Sequence, residues 1–158
     1  MASTSPATTV RWLTTEQQQH WRAFVDGAAR LNEALGRQLE RDAELSLSEY
    51  EVLVRLSEAP DRTLRMSSLA DELAHSRSRI THTIRRLETR GFVERSACAA
   101  DGRGVDAAMT AAGYARLAAA APGHVEAVRA HLVDVLSEDQ LRALGESMAV
   151  VRAALREP

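Results

Sequence analysis

Between Ser76 and Gly91 the chain reads SRSRITHTIRRLETRG, setting Arg77, Arg79, Arg85, Arg86 and Arg90 among short hydroxyl side chains and one histidine. A guanidinium presents a planar fork of donors that matches phosphate oxygens and the O6 and N7 of guanine, and hydroxyls also suit phosphate. The chemistry open to this stretch is capture of a polyanion. On a helical wheel Ile80, Thr83, Ile84 and Leu87 gather on the side a core would take. Ser78, Thr81, His82, Arg85, Arg86 and Thr89 lie on or near the other side, with Arg77 at the helix start. A face kept only soluble usually alternates Glu with Arg at i, i+4, because each such pair stabilises the helix slightly. These outward positions hold no acid, and Glu88 lies towards the core boundary. The face is either solvated or built for an anion, and its neighbours favour the anion.

Bond-making chemistry finds little support. Cys98 is the only cysteine, so an internal disulfide and a cysteine-built zinc site are excluded. Its thiol is either incidental or, beside a loop tip, a place where oxidation could act. His124 and His131 could share a helix face, but no carboxylate set accompanies them to complete a metal site. There is no glycine-rich phosphate loop and no nucleophile elbow. The expectation is a protein that is no enzyme and takes no cofactor or metal.

The arginine segment needs elements to present it. SSLADELA precedes it as a short helix that Ser67 or Ser68 could cap, joined by a turn at His75-Ser76, which makes a helix-turn-helix whose second member would enter a groove. In that arrangement Arg77, Ser78, His82 and Arg85, flanked by Thr81, would reach base edges. Arg86 and the serines at the first helix's start would hold phosphates. Gly91 stops the helix, and Phe92–Arg95 and Val105–Met109 then read as two strands around ACAADGRG. The tip pair Asp101 and Arg103 is either an ordinary surface turn or a wing whose arginine probes the minor groove.

Flanking this unit are helices of another kind. A long one spans about Thr15 to Asp42, opened by a capping box of Thr15 with Gln18 and striped by Trp21, Phe24, Ala28, Leu31, Leu35 and Leu39. It is longer than a small globule needs, so a partner chain is expected to cover part of it. Ser48 with Glu51 opens the next helix, which stops near Pro60. Thr110 caps an alanine-rich helix that Pro122-Gly123 should kink or break. The last helix starts at the box Ser137 with Gln140 and repeats Leu141, Leu144, Met148, Val151 and Leu155, the seam of two helices lying side by side. The fold class is mainly α with a small β-hairpin, an α+β arrangement. Residues 1–10 form a tail, 11–45 and 111–157 form helices for self-association, and 46–110 form the helix-turn-helix with its wing.

Bulk properties agree. The 158 residues are 45% hydrophobic and 27% charged, enough apolar content for a core. The net charge of -2 conceals a division. From Arg62 to Gly104 nine arginines face five acids, leaving eleven arginines and seventeen acids elsewhere, so a basic middle is flanked by acidic ends. Lysine is absent, which GC-rich codon usage explains as well as any selection for guanidinium. No run nears the roughly 20 apolar residues that cross a bilayer, and MASTSPATTV lacks a secretory pattern, so a cytoplasmic protein without membrane contact is expected.

The stretches LSLSEYEVLVRLSEAP, RMSSLADELAHSRSRITHTIRRLETRGFVER, the Asp101-x-Arg103 pair and MTAAG resemble the multiple-antibiotic-resistance (MarR-type) regulators, over about Trp12 to Leu155. The resemblance implies a winged helix-turn-helix homodimer with intertwined terminal helices, which binds inverted-repeat operators on double-stranded DNA and usually represses transcription. It also implies that small aromatic effectors bind between the DNA-binding lobe and the dimer helices, where Trp12, His20, Trp21 and Tyr50 are lining candidates if they are not simply core or interface. Two departures stand out. The wing reads Asp-Gly-Arg-Gly where many relatives have Asp-Arg-Arg, and the N-terminal helix lacks the cysteine that marks the peroxide-sensing branch. The competing reading, outside the family, is a helical module whose basic face binds an acidic protein.

Overall fold

The computed structural model describes residues 10–98 and 104–155. Helix α1 runs Thr15–Ala43. Its cap is Thr14 with Gln17, one position before the expected Thr15 and Gln18: Gln17 N donates to Thr14 Oγ1 at 3.2 Å and Thr14 N donates to Gln17 Oε1 at 2.9 Å. Both threonines have a glutamine three residues on, so the pattern alone could not choose. Glu44 closes the helix in the left-handed region, with φ 51°.

Helix α2 (Leu47–Glu58) begins earlier than expected. Ser46, not Ser48, is its cap, and Glu49, not Glu51, is the reciprocal partner. This start carries Glu49 into the interior, where the carboxylate finds further partners. A short turn at Pro60–Arg62 leads to strand β1 (Thr63–Arg65). Helix α3 (Met66–Glu72) starts directly after β1 with Arg65 as its N-cap and no side-chain cap bond. Neither Ser67 nor Ser68 caps it, because both already lie inside its first turn.

Helix α4 (Arg77–Thr89) is the arginine segment. Ser76 Oγ accepts from Arg79 N at 3.2 Å, and Gly91, at φ 73°, supplies the left-handed residue after its end. Strands β2 (Val93–Ala97) and β3 (Val105–Met109) pair antiparallel from Val93↔Met109 to Ala97↔Val105. On its other edge β3 takes β1, with Arg65 opposite Asp106, giving the order β1-β3-β2.

Helix α5 (Ala111–Val128) is capped by Thr110 and passes through Pro122 without the break that was one of the two expectations there. A proline removes one backbone donor, and the turns on either side sustain the helix. The irregularity falls later, in a π-type turn at Arg129–Val133, before α6 (Glu138–Ala154) with its Ser137–Gln140 capping box.

The core collects the end of α1, α2, α3, α4 and the root of the hairpin. Leu39, Leu45, Leu53, Leu56, Leu69, Ile80, Ile84, Leu87 and Val93 are buried there. Each such side chain contributes about 1.5–3 kcal/mol by leaving water. The wheel placed Ile80, Thr83, Ile84 and Leu87 inward, and all four are buried. By contrast the first half of α1 buries nothing, and neither does α6. No helix among the described residues is long and apolar enough to cross a membrane.

Candidate nucleic-acid interface

Packing of Ile80, Ile84 and Leu87 against the core fixes which side of α4 faces out. Arg77, Ser78, His82 and Arg85 are exposed on that side. Thr81 is half-buried, and its hydroxyl donates to the Arg77 carbonyl oxygen at 2.8 Å, which leaves its lone pairs to accept. The guanidinium groups of Arg77 and Arg85 make no hydrogen bond or ion pair among the described residues. Glu88, the nearest acid on the helix, is occupied: Arg95 Nη2 donates to its Oε2 at 2.6 Å, and that bond holds the Glu88 carboxyl below its usual range. The outward face of α4 therefore keeps its positive charge uncompensated.

Beside it lies a groove of about 370 Å³ lined by Arg65, Met66, Ser67, Arg77, Thr81, Gly104 and Val105. Ser67 thus meets Arg77 and Thr81 across the groove, whereas Ser68 is half-buried and not part of the lining. Arg65 brings a further guanidinium to the groove. It packs against Gly104 so closely that a Cβ there would sit 2.6 Å from its Nε. Asp101 and Arg103 lie outside the described residues. Cys98 follows β2, half-buried, with its backbone N–H donating to the Gly104 carbonyl oxygen at 2.9 Å.

Arg86, expected to hold phosphate, has a protein partner as well. Its side chain is 57% exposed, yet its Nε donates to Glu49 Oε1 at 3.2 Å, across to α2. In the turn between α3 and α4, His75 is wedged with its Nδ1 buried and unpartnered. Its Nε2 lies 4.0 Å from Glu51 Oε2, which would favour the imidazolium, but burial first and Arg79 second outweigh it and lower the pKa.

The four lining candidates do not come together. Tyr50 is buried beside a cavity of about 440 Å³, shared with Asn32, Leu35, Arg55, Leu73 and His124. Its ring centre is 4.4 Å from that of His124, whose Nδ1 lies 3.3 Å from Gln38 Oε1. Burial raises the Tyr50 pKa and lowers that of His124. Trp12 precedes α1, and His20 and Trp21 sit on the exposed first half of that helix, Trp21 near Phe24 at a ring separation of 6.0 Å. His131 is separated from His124 and lines an apolar groove between α1 and α6 with Phe24, Leu31, Leu144 and Met148.

Comparison with known proteins decides the family. Residues 45–105, from just before α2 to the start of β3, match the MarR family model. Sco3205 of Streptomyces coelicolor, a MarR family transcriptional regulator solved in complex with DNA, is 43% identical, with a TM-score of 0.90 over 95% of this chain and 94% of that one. The chain belongs to the MarR family. AbsC, another MarR family regulator from Streptomyces coelicolor, is 35% identical with a TM-score of 0.87, covering 94% of this chain and 100% of its own. BpsR of Bordetella bronchiseptica, whose DNA binding is regulated by 6-hydroxynicotinic acid, shares the fold at 17% identity and a TM-score of 0.74, over 85% of this chain and 98% of its own. A search of curated sequences found no match. MarR family members are transcriptional regulators, not enzymes, and their DNA-binding fold is a winged helix.

Two residues of this MarR-family chain were not given these places by the sequence reading. Arg65 joins the groove only because β1 pairs with β3, setting Arg65 opposite Asp106, a pairing distant in sequence that three extended residues do not announce. His124 faces Tyr50 because α5 crosses α2. The signal for it was its place on a helical stripe, which says where a face points but not what it meets.

Proposed function

We propose that the chain is a homodimeric repressor that acts on an inverted-repeat operator in the cytoplasm. The uncompensated positive face of α4, next to a groove shared by Arg65, Ser67, Arg77 and Thr81, carries the reading. Arg77, Ser78, His82 and Arg85 reach base edges in the major groove, and Ser67, Ser68 and Thr81 meet the backbone. Arg103, with Asp101, serves the minor groove from the hairpin tip. Residues 46–110 form this reading head, while 11–45 and 111–157 supply the dimer. The apolar groove between α1 and α6, and the apolar side chains those helices leave exposed, support the pairing. Two heads related by a twofold axis meet half-sites about 10 base pairs apart.

A small aromatic effector in the Tyr50–His124 cavity releases the DNA. That cavity touches α1, α2 and α5, the elements that join head to dimer helices, which supports it over the exposed Trp12, His20 and Trp21.

Enrichment of duplexes from a random pool, followed by footprinting and titration at several salt concentrations, tests the reading. An inverted repeat should emerge, with two protected half-sites and affinity falling steeply with salt. A protein that stays monomeric and enriches no duplex would instead favour the basic face as a surface for acidic protein.

A further inference from the structure

Three of the five arginines in the Ser76–Gly91 stretch reach a partner on a neighbouring element. Arg79, Arg86 and Arg90 are spaced by seven and four residues, which puts them along one edge of α4 and its C-cap. That edge meets the start of α2. Arg79 Nη2 donates to Ser48 Oγ at 2.7 Å. Arg86 Nε donates to Glu49 Oε1 at 3.2 Å, and Arg90 Nη1 lies 3.9 Å from Glu49 Oε2. The same Arg90 nitrogen donates to the Glu44 carbonyl oxygen at 2.7 Å. Glu49 is the hub, because its carboxylate is only 1% exposed and Oε2 also accepts from Ser46 N at 2.8 Å. One buried charge thus joins the end of α1, the first turn of α2 and the last turns of α4.

A buried ion pair is a poor source of net stability, since desolvation consumes much of its Coulomb gain. What it does fix is geometry. The apolar stripe of Ile80, Ile84 and Leu87 resists lifting α4 off the core, but it allows a roll or slide between similar packings. Donors that converge on one carboxylate allow neither. A roll of α4 would redirect Arg85 and His82 on its far side.

We infer that Glu49 is a positioning residue for DNA recognition: with Arg86 and Arg90 it locks the roll of α4 and couples it to the C-terminal end of α1, so that dimer geometry sets where the outward side chains point. This rests on the DNA-binding reading above, with Arg86 serving as a tether instead of a phosphate contact.

The test compares wild type with Glu49→Gln, which keeps an oxygen for Ser46 N but loses the charge, and with Arg86→Met, which leaves Arg90 facing the Glu49 carboxylate; a thermal melt establishes that each variant is folded. Without DNA, hydrogen exchange should quicken together at the last turn of α4 and at Glu44–Leu45 in both variants. With the enriched duplex, both should lose about tenfold or more in affinity. Both should also lose discrimination against duplexes whose half-site separation is changed by one base pair, at an unchanged salt slope. The double variant should be no worse than either single one. The inference is overturned if Arg86→Met lowers the salt slope by one phosphate's worth, about 0.9, while Glu49→Gln binds as wild type. It is equally overturned if both variants keep the spacing preference, or if exchange quickens only at α2. Should wild type bind no duplex, the DNA reading falls by itself and the exchange data still decide the coupling.

Discussion

Arg85 stands at the middle of the outward face of α4, its guanidinium without a hydrogen bond or ion pair among the described residues. Its replacement by alanine removes no packing and no tether, so its effect reports on the ligand alone. Arg85→Ala should weaken binding to the enriched duplex by about 1–3 kcal/mol, with relaxed preference at one base position. The melting temperature should stay at the wild-type value. Fluorescence anisotropy at fixed salt measures the first effect and a thermal melt the second; equal affinities would remove Arg85 from the interface. The separation of Arg85 from Arg86 was only partly legible in the sequence. The wheel correctly found the buried side of the helix, because apolar periodicity records burial directly. It could not tell a solvent-facing arginine from one on the flank that reaches a carboxylate on another helix. That distinction depended on Glu49 being drawn inside by a cap at Ser46, two residues before the expected one.

At the scale of elements, capping chemistry located most helices to within a residue or two, and its errors have a common source. Repeated Thr, Ser, Gln and Glu offer more than one register, and tertiary packing selects among them. The hairpin strands and the Gly91 stop were legible because alternation and a left-handed glycine are local signals. The survival of α5 through Pro122 was not, since it depends on what packs against the flanking turns. One junction is sharply constrained. A Cβ on Gly113, in the first turn of α5, would lie 2.2 Å from the Phe92 carbonyl oxygen, and no side-chain rotation can relieve a backbone clash. Gly113→Ala should therefore cost about 1–3 kcal/mol, read as a lower urea midpoint with an unchanged m-value. A second prediction concerns the half-buried imidazoles at two element contacts, His75 between α3 and α4 and His124 between α5 and α2. Burial lowers both pKa values, so the unfolded chain binds protons more readily than the folded one. Stability should be greatest above the ordinary histidine value of about 6.5 and decline as pH falls through it. The lowered Asp42 and Glu88 carboxyls add their own loss only at more acidic pH. Urea midpoints between pH 7.5 and 5.5 should show the decline, and His124→Gln should flatten it; a wild-type profile that is level over this window would contradict it.

For the whole molecule, the informative feature is what the single chain leaves uncovered. A helix of 17 residues is marginal in water unless an amphipathic face is packed, yet α6 contributes no buried residue. Its Val151 is 47% and its Leu155 81% exposed, and across the chain Trp21 is 57% and Phe24 42% exposed on α1. The excess length of the first helix and the three-and-four spacing of the last were both visible in the sequence and pointed to a second copy. The apolar groove between α1 and α6 is consistent with that. Val151 and Leu155 lie one turn apart, so charging both should place repulsive, desolvated groups in the same patch without disturbing the core around α2 and α4. The double variant Val151→Glu/Leu155→Glu should sediment as a monomer that retains the wild-type circular dichroism of a folded head. Because two linked heads turn the second half-site contact into an intramolecular event, separating them should lower affinity for the full inverted repeat by about 10²- to 10⁴-fold. Affinity for a duplex carrying one half-site should not change, since each head keeps its α4 face. A variant that remains dimeric would show that the seam lies elsewhere, and a monomer that binds the full repeat as tightly as wild type would show that the heads act alone.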